Sequence, residues 1–129
     1  MGMGIGGPEN LPIIEALGRA LGKAIGGAAA AATGAEIKVA IGGSRRVVDA
    51  GWLPRQQQIG LTGKAIAPKL YLGVGVRGAF NHTIGIHRSG VIAAINSDPA
   101  ADIFRAADYG VVADFAEFVP ALTRELERC

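Results

Sequence analysis

The sequence of 129 residues predicts a single α/β domain built on a doubly wound parallel sheet. Short aliphatic segments alternate with helical patterns along the chain, an order that is typical of parallel strands joined by helices. Hydrophobic residues make up 50% of the chain, which is enough to form a core. The 20 glycines are spread rather than clustered, which indicates tight turns and close backbone approaches instead of a flexible linker.

The first half of the chain predicts a glycine loop, a helix and a short strand. Asn10 and Pro12 are typical of a helix start, and apolar residues follow at helical spacing up to residue 25. The glycine pair at 26–27 ends or weakens this helix, and residues 28–32 either extend it or bridge to the next element. The expected elements are a loop at 1–7, a buried strand at 37–41, a turn or short helix at 44–50 and a loop at 51–58 above Trp52.

The second half predicts three strands that alternate with helices. The segment 70–76 is the clearest strand, because it is rich in aliphatic residues and too short for a buried helix. Asp114 is expected to cap the last helix, and Pro120 to begin or kink the final part of that helix. The remaining elements are a helix at 78–86, a strand at 91–95, a helix at 99–107 and a strand at 110–113.

Polar residues and glycines gather where the predicted strands end. Parallel α/β sheets bind ligands beyond the carboxyl ends of their strands, so these residues predict a ligand site. Taken singly, each has a structural alternative: the arginines as surface charges, and Asn96 and Asp114 as helix caps. The cluster comprises Gly42-Gly43-Ser44-Arg45, Arg77-Gly78, Asn96 and Asp114.

Three loops carry patterns that suit a nucleotide, and each is also compatible with a plain turn. Glycines at 2–7 match a dinucleotide loop, although no strand precedes them and no acidic residue follows about 20 positions later to hold a ribose. That absence argues against a nicotinamide-dependent enzyme. The loop at 59–64 would let its backbone approach a flat ring, with Thr62 bonding a ring nitrogen. The segment 77–82 would offer backbone N–H groups to a phosphate.

Several function classes are disfavoured by composition. The net charge of +2 and the lack of a basic run argue against nucleic acid, and no apolar run reaches the ~20 residues of a membrane helix. The two histidines and the terminal Cys129 are poor material for a metal site, and no nucleophile lies beside a base, so no catalytic residue is predicted. One cysteine fits a reducing compartment, cytoplasmic or alternatively the mitochondrial matrix.

Taken together, the motifs resemble the C-terminal FAD-binding domain of the electron transfer flavoprotein α subunit, a Rossmann-like fold. The resemblance is carried over about 42–126 by Gly42-Gly43-Ser44-Arg45, Val48-Asp49-Ala50-Gly51, Gln58-Ile59-Gly60, Thr62-Gly63-Lys64, Ala67-Pro68, Leu70-Tyr71, Gly78-Ala79, His82, Ala94-Ile95-Asn96, Asp98, Ile103-Phe104, Ala107-Asp108-Tyr109-Gly110 and Val112-Ala113-Asp114. Residues 2–21 also resemble the first loop and helix of that family.

The resemblance implies that residues 1–129 form an FAD-binding domain with a specific set of contacts. Arg45 would lie against the flavin ring, Thr62 would bond the ring near N5, and His82 would face its pyrimidine end. Asn96 and Asp114 would hold the adenosine part. The full set implied to bind FAD is Ser44, Arg45, Ile59, Gly60, Leu61, Thr62, Gly63, Arg77, Gly78, Ala79, Phe80, Asn81, His82, Asn96, Asp114 and Phe115.

The sequence departs from the family pattern at several of these places. Met3, Leu61, Arg77 and Asn81 stand where the family usually has arginine, glutamine, serine and glutamine, and residues 26–35 resemble an insertion. The leading strand of the family is missing, which indicates either a piece of a longer protein or a sheet position that another chain fills. We expect the unpaired sheet position to promote self-association or partner binding. The implied function is an electron carrier that works with a β-type subunit and takes electrons from flavin dehydrogenases to a quinone-linked acceptor. The alternative is a degenerate AMP-binding or assembly module.

Overall fold

The computed structural model describes residues 1–33 and 37–129, and it is an α/β structure with a parallel sheet. Residues 34–36 lie outside the described residues, and they include the end of the segment 26–35 that was expected to be an insertion. The elements in chain order are α1 (Leu11–Thr33), α2 (Arg45–Asp49), β1 (Leu70–Val74), α3 (Phe80–Thr83), β2 (Val91–Asn96), α4 (Ile103–Ala106), β3 (Tyr109–Val112) and α5 (Phe115–Glu127), with 3₁₀ turns at Met3–Ile5, Pro8–Asn10 and Arg55–Gln57.

The described strands form a sheet in the order β1-β2-β3, with apolar packing on both faces. Val74 and Ile95 belong to the cluster built with α1 and α5. Tyr71 and Ile92 belong to the cluster on the other face, built with α4 and with Ile86, which follows α3. Neighbouring residues of a strand point to opposite faces, which is how one strand serves both clusters. The sheet is therefore doubly wound, and the predicted fold class is confirmed.

Residues at the N-terminus occupy the sheet position beside β1. The Gly2 amide donates to the Val74 carbonyl at 3.0 Å, and the Gly4 amide donates to the Gly75 carbonyl at 3.0 Å. On its other side this segment meets Ser44, whose amide donates to the Met1 carbonyl at 3.0 Å. The position that we expected another chain to fill is thus partly occupied by the chain itself.

The strand predicted at 37–41 is wrong. These residues are not in a strand, and Val39 and Ile41 instead lie along α1, beside Gly18 and Gly22. The apolar pattern of the segment reflects this contact with a helix. Backbone pairing begins after it, where Gly43 forms a parallel bridge with Gln58.

The boundaries of three predicted elements also need correction. The helix predicted at 78–86 is confined to α3, because Gly78 has φ +85°, a left-handed conformation that no α-helix contains. The helix predicted at 99–107 shortens to α4, since turns around Asp98 take up its first half. The strand predicted at 110–113 begins and ends one residue earlier, as β3.

The helices at the two ends of the chain both continue through residues that disfavour a helix. Helix α1 continues through Gly26 and Gly27 to Thr33, so residues 28–32 extend it. Asn10, expected at the helix start, lies in the 3₁₀ turn directly before α1, and its amide nitrogen donates to the Ile5 carbonyl at 2.7 Å. Helix α5 continues across Pro120. None of the helices in the described ranges has both the length and the apolar character needed to cross a bilayer.

Candidate functional site

Hydrogen bonds bring the predicted site loops together at the carboxyl edge of the sheet. The Ile59 amide donates to the Gly43 carbonyl at 2.9 Å, which joins the loop before α2 to the loop at 59–64. Beyond β1, the Asn96 side-chain amide donates to the Val76 carbonyl at 2.9 Å. The Ala113 amide donates to the Asn96 carbonyl at 3.1 Å, which places the start of α5 beside it. Loops that are distant in sequence therefore form one continuous edge.

The loop at 59–64 is held against the start of α3. The Leu61 amide donates to the Asn81 carbonyl at 2.6 Å. Gly60 has φ +133° and lies so close to α3 that a side chain at position 60 would collide with the backbone of Asn81 and His82. At the loop's other end, buried Gln58 donates through Nε2 to the Thr62 hydroxyl at 2.7 Å. The Thr62 oxygen is the acceptor in this bond, so its hydrogen is available to a ligand.

His82 lies in α3 and is buried, with 7% of its surface exposed. Its Nε2 is 2.8 Å from the hydroxyl of Tyr71, which comes from β1 on the same face of the sheet. Its Nδ1 is buried and has no hydrogen-bond partner among the described residues. The ring is therefore fixed at one nitrogen and unsatisfied at the other.

Burial determines the protonation of this pair. It lowers the pKa of His82 to about 4, and it raises the pKa of the Tyr71 hydroxyl far above neutrality. A backbone group of Ile59 acts in the opposite direction on the pKa of His82 and raises it, as a carbonyl acceptor does. At neutral pH both side chains are uncharged, so His82 is a neutral hydrogen-bonding group in this structure.

The two arginines predicted for the site are both exposed to solvent. Arg45 pairs with Asp49 across one turn of α2, with Nε 3.3 Å from the carboxylate and both side chains 63% exposed. An exposed pair of this kind holds its partners weakly, so Arg45 is free to turn toward a ligand. Arg77 contributes its carbonyl to the fold, accepting from the Ile103 amide at 2.8 Å, while its side chain is exposed.

The residues predicted for the adenosine end already have structural partners. Asp114 caps α5 by accepting from the Ala116 amide at 3.0 Å. Asn96 accepts from the Asp98 amide at 2.9 Å in addition to its bond with Val76. Phe115 packs partly buried against the cluster of α1 and α5. The capping alternative considered for Asp114 is thus seen, and it leaves one carboxylate oxygen for a ligand.

Two contributors to the site were outside the predicted set. Gln58 orients Thr62, and Tyr71 orients His82. Neither had a local signal in the sequence, because Tyr71 stands in an aliphatic strand like any core aromatic residue and Gln58 meets Thr62 only when the loop closes. Both are polar groups that the fold buries. Of the remaining predicted residues, Gly60 and Gly78 are buried and Ile59 packs against the cluster of Tyr71. The exposed ones are Leu61, Gly63, Ala79, Phe80 and Asn81.

Comparison with known proteins agrees with the resemblance found in the sequence. Residues 29–87 match the model of a family described as the electron transfer flavoprotein FAD-binding domain. The electron transfer flavoprotein subunit alpha of Thermoanaerobacterium thermosaccharolyticum is 41% identical over 98% of this chain and 34% of that protein. The protein of the same name from Paracoccus denitrificans is 43% identical over 97% of this chain and 35% of that protein. The one from Bradyrhizobium diazoefficiens is 50% identical over 70% of this chain and 29% of that protein. The chain spans about a third of the length of such relatives.

Proposed function

This chain belongs to the electron transfer flavoprotein α-subunit family, and from that premise we propose that residues 1–129 hold FAD at the carboxyl edge of the sheet and carry electrons. The observation that carries the proposal is the loop at 59–64, which is hydrogen-bonded to the start of α3 beside His82. This contact supports the proposal because it links the loop that carries the Thr62 hydroxyl to the helix that carries the buried His82. When bound, FAD supplies the one-electron chemistry, and the protein supplies orientation and electrostatics.

The residues at this edge fit the polar groups of a flavin. The hydrogen of Thr62 is available to a ring nitrogen, and His82 has an unsatisfied buried nitrogen for a carbonyl oxygen. Arg45 brings a positive charge that favours a flavin carrying negative charge. Arg77, Gly78 and the segment that follows them would lie at the diphosphate, and Asn96 and Asp114 at the adenosine.

The partners of the proposed carrier follow from the same family. We expect a β-type subunit to complete the enclosure of FAD, flavin dehydrogenases to donate the electrons, and a quinone-linked acceptor to receive them. The expected location is the cytoplasm, with the mitochondrial matrix as the alternative.

The visible spectrum of the purified chain after incubation with FAD and desalting tests the proposal. A retained flavin spectrum, with the chain alone or with the β-type subunit added, would support it. A colourless protein in both cases would overturn it. A thermal shift with AMP and none with FAD would point to the degenerate nucleotide-binding module instead.

Arg45 gives this experiment a matched pair of variants. We expect Arg45→Ala to lower the retained FAD several-fold without changing the melting temperature, because the pair with Asp49 is exposed and worth under about 1 kcal/mol. Arg128→Ala breaks a similar exposed pair, 3.2 Å from Glu125, at the far end of α5, and should retain FAD as the wild type does. Equal losses in both variants would mean that Arg45 does not contact the cofactor.

A further inference from the structure

The buried pair Tyr71–His82 imposes a constraint on where its protons lie. Both side chains are at most 7% exposed, the hydroxyl and Nε2 are 2.8 Å apart, and the two rings are tilted by 56° with centroids 6.0 Å apart. The hydroxyl therefore meets the imidazole at its nitrogen rather than by stacking. A neutral imidazole has one N–H donor and one acceptor nitrogen, and a hydroxyl has one hydrogen. The bond thus has two possible directions.

The two directions differ in which buried hydrogen they leave without a hydrogen bond. If Nε2–H donates to Tyr71, the hydroxyl hydrogen has no acceptor among the described residues, and Nδ1 is an unfilled acceptor as well. If the hydroxyl donates to Nε2, the hydroxyl hydrogen is satisfied and the proton of His82 sits on Nδ1. That proton then lies near Ile59, whose backbone influences the ring as an acceptor does. In the second direction the hydrogen without a full hydrogen bond is the one on Nδ1, and it alone has a backbone acceptor, Ile59, in its neighbourhood, although Nδ1 forms no hydrogen bond with it. The second direction is therefore favoured, and it leaves Nδ1–H available to a ligand.

We propose that Tyr71 is a positioning residue that donates its hydroxyl hydrogen to His82 and holds the ring as the Nδ1–H tautomer, so that Nδ1 offers a neutral N–H donor at the loop at 59–64. The identification of the acceptor as a flavin carbonyl oxygen rests on the proposed function. The tautomer itself depends only on this chain. His82 then favours a negatively charged flavin by hydrogen bonding and not as an imidazolium cation.

Nitrogen NMR of the ¹⁵N-histidine-labelled chain without cofactor tests the tautomer directly. At pH 7 we expect the His82 Nδ1 signal to be that of a protonated nitrogen and the Nε2 signal that of an unprotonated one. In Tyr71→Phe, Nε2 should move toward the position of an acceptor without a hydrogen bond. A protonated Nε2 in the wild type, or an Nε2 signal unmoved in Tyr71→Phe, would overturn the proposal whether or not the chain binds FAD.

Two substitutions of His82 then test the donor toward the cofactor. The asparagine amide superposes on the Nδ1 position and the glutamine amide on the Nε2 position, so His82→Asn should retain several-fold more FAD than His82→Gln. An imidazolium role predicts equal losses in the two variants, and that result would overturn the donor role. If the wild-type chain binds no FAD even with the β-type subunit, the proposed function fails while the NMR result still decides the tautomer.

Discussion

At the scale of single residues, the protonation of His82 couples stability to pH. Burial lowers the pKa of His82 from 6.5 to about 4 in the folded chain, so the unfolded chain binds the proton more readily between these values. Stability therefore falls as pH decreases through this window and is fully present above pH 6.5. The pKa difference corresponds to about 3 kcal/mol in the free energy of unfolding.

Urea denaturation of the wild type and His82→Asn from pH 7.5 to 4 isolates this contribution. The variant has no ring at position 82 to titrate, so its stability deficit relative to the wild type should shrink by about 3 kcal/mol as pH falls. The carboxylates titrate in both proteins and cancel in the comparison. A deficit that stays constant with pH would contradict the prediction.

The sequence alone indicated His82 but not its partner. A histidine after a glycine turn stands out, whereas Tyr71 in an aliphatic strand is indistinguishable from any other core aromatic residue. The bond between them depends on how β1 and α3 approach across the sheet face, and no local pattern encodes that approach. The partner of Gln58 was equally hard to predict, because the hydrogen bond to Thr62, four residues away, forms only when the loop is closed.

At the scale of elements, Asp114 combines the cap of α5 with its proposed ligand role, and two substitutions separate them. Asp114→Ala removes the acceptor for the Ala116 amide and should cost about 1 kcal/mol. Asp114→Asn keeps a capping oxygen and should leave stability nearly unchanged. Urea denaturation measures both effects, and equal destabilisation in the two variants would show that charge, not the cap, matters.

The turn between β1 and α3 depends on Gly78 for two reasons that a control can separate. Gly78 has φ +85°, and a side chain there would collide with the Ile103 backbone. Gly51 has φ +78° but open space around it. Gly51→Ala should therefore cost about 1–2 kcal/mol from conformation alone.

Gly78→Ala should cost clearly more than Gly51→Ala in the same urea titration, because α4 must also move. Equal losses in the free energy of unfolding in the two variants would mean that α4 shifts at no measurable energetic cost.

Elements with a partner on both faces were the best predicted. The strands near 70 and 91 were found because a short, continuous aliphatic run bounded by turn residues is typical of a strand that is buried on both faces. The segment 37–41 carried the same signal, yet its side chains lie along α1 and its backbone is not in the sheet. The segment is not buried as a strand within a sheet would be, since residues 38–40 are exposed and Val39 is 44% exposed. A short apolar run therefore indicates a buried strand only where the fold brings partners to both of its faces.

At the scale of the whole molecule, the open edges of the sheet determine how the chain meets other chains. We expected self-association at the position of the missing leading strand, but residues 1–4 partly fill it through bonds to Val74 and Gly75. At the opposite end of the sheet, β3 pairs with β2 and with no other strand of the described residues. It is rich in exposed apolar surface, with Tyr109 and Val112 70% and 56% exposed.

An edge of this kind is a template for pairing with another strand. We therefore expect the chain to self-associate at high concentration. Val112→Lys should raise the dissociation constant of this association at least several-fold, because a lysine on an edge strand must be desolvated before two edges can pair. Ala50→Lys adds the same charge to an exposed position at the end of α2 and should leave association unchanged. Sedimentation velocity over a concentration series measures all three proteins. A wild type that remains monomeric would show that β3 is protected in solution, and equal weakening by both lysines would attribute the effect to net charge.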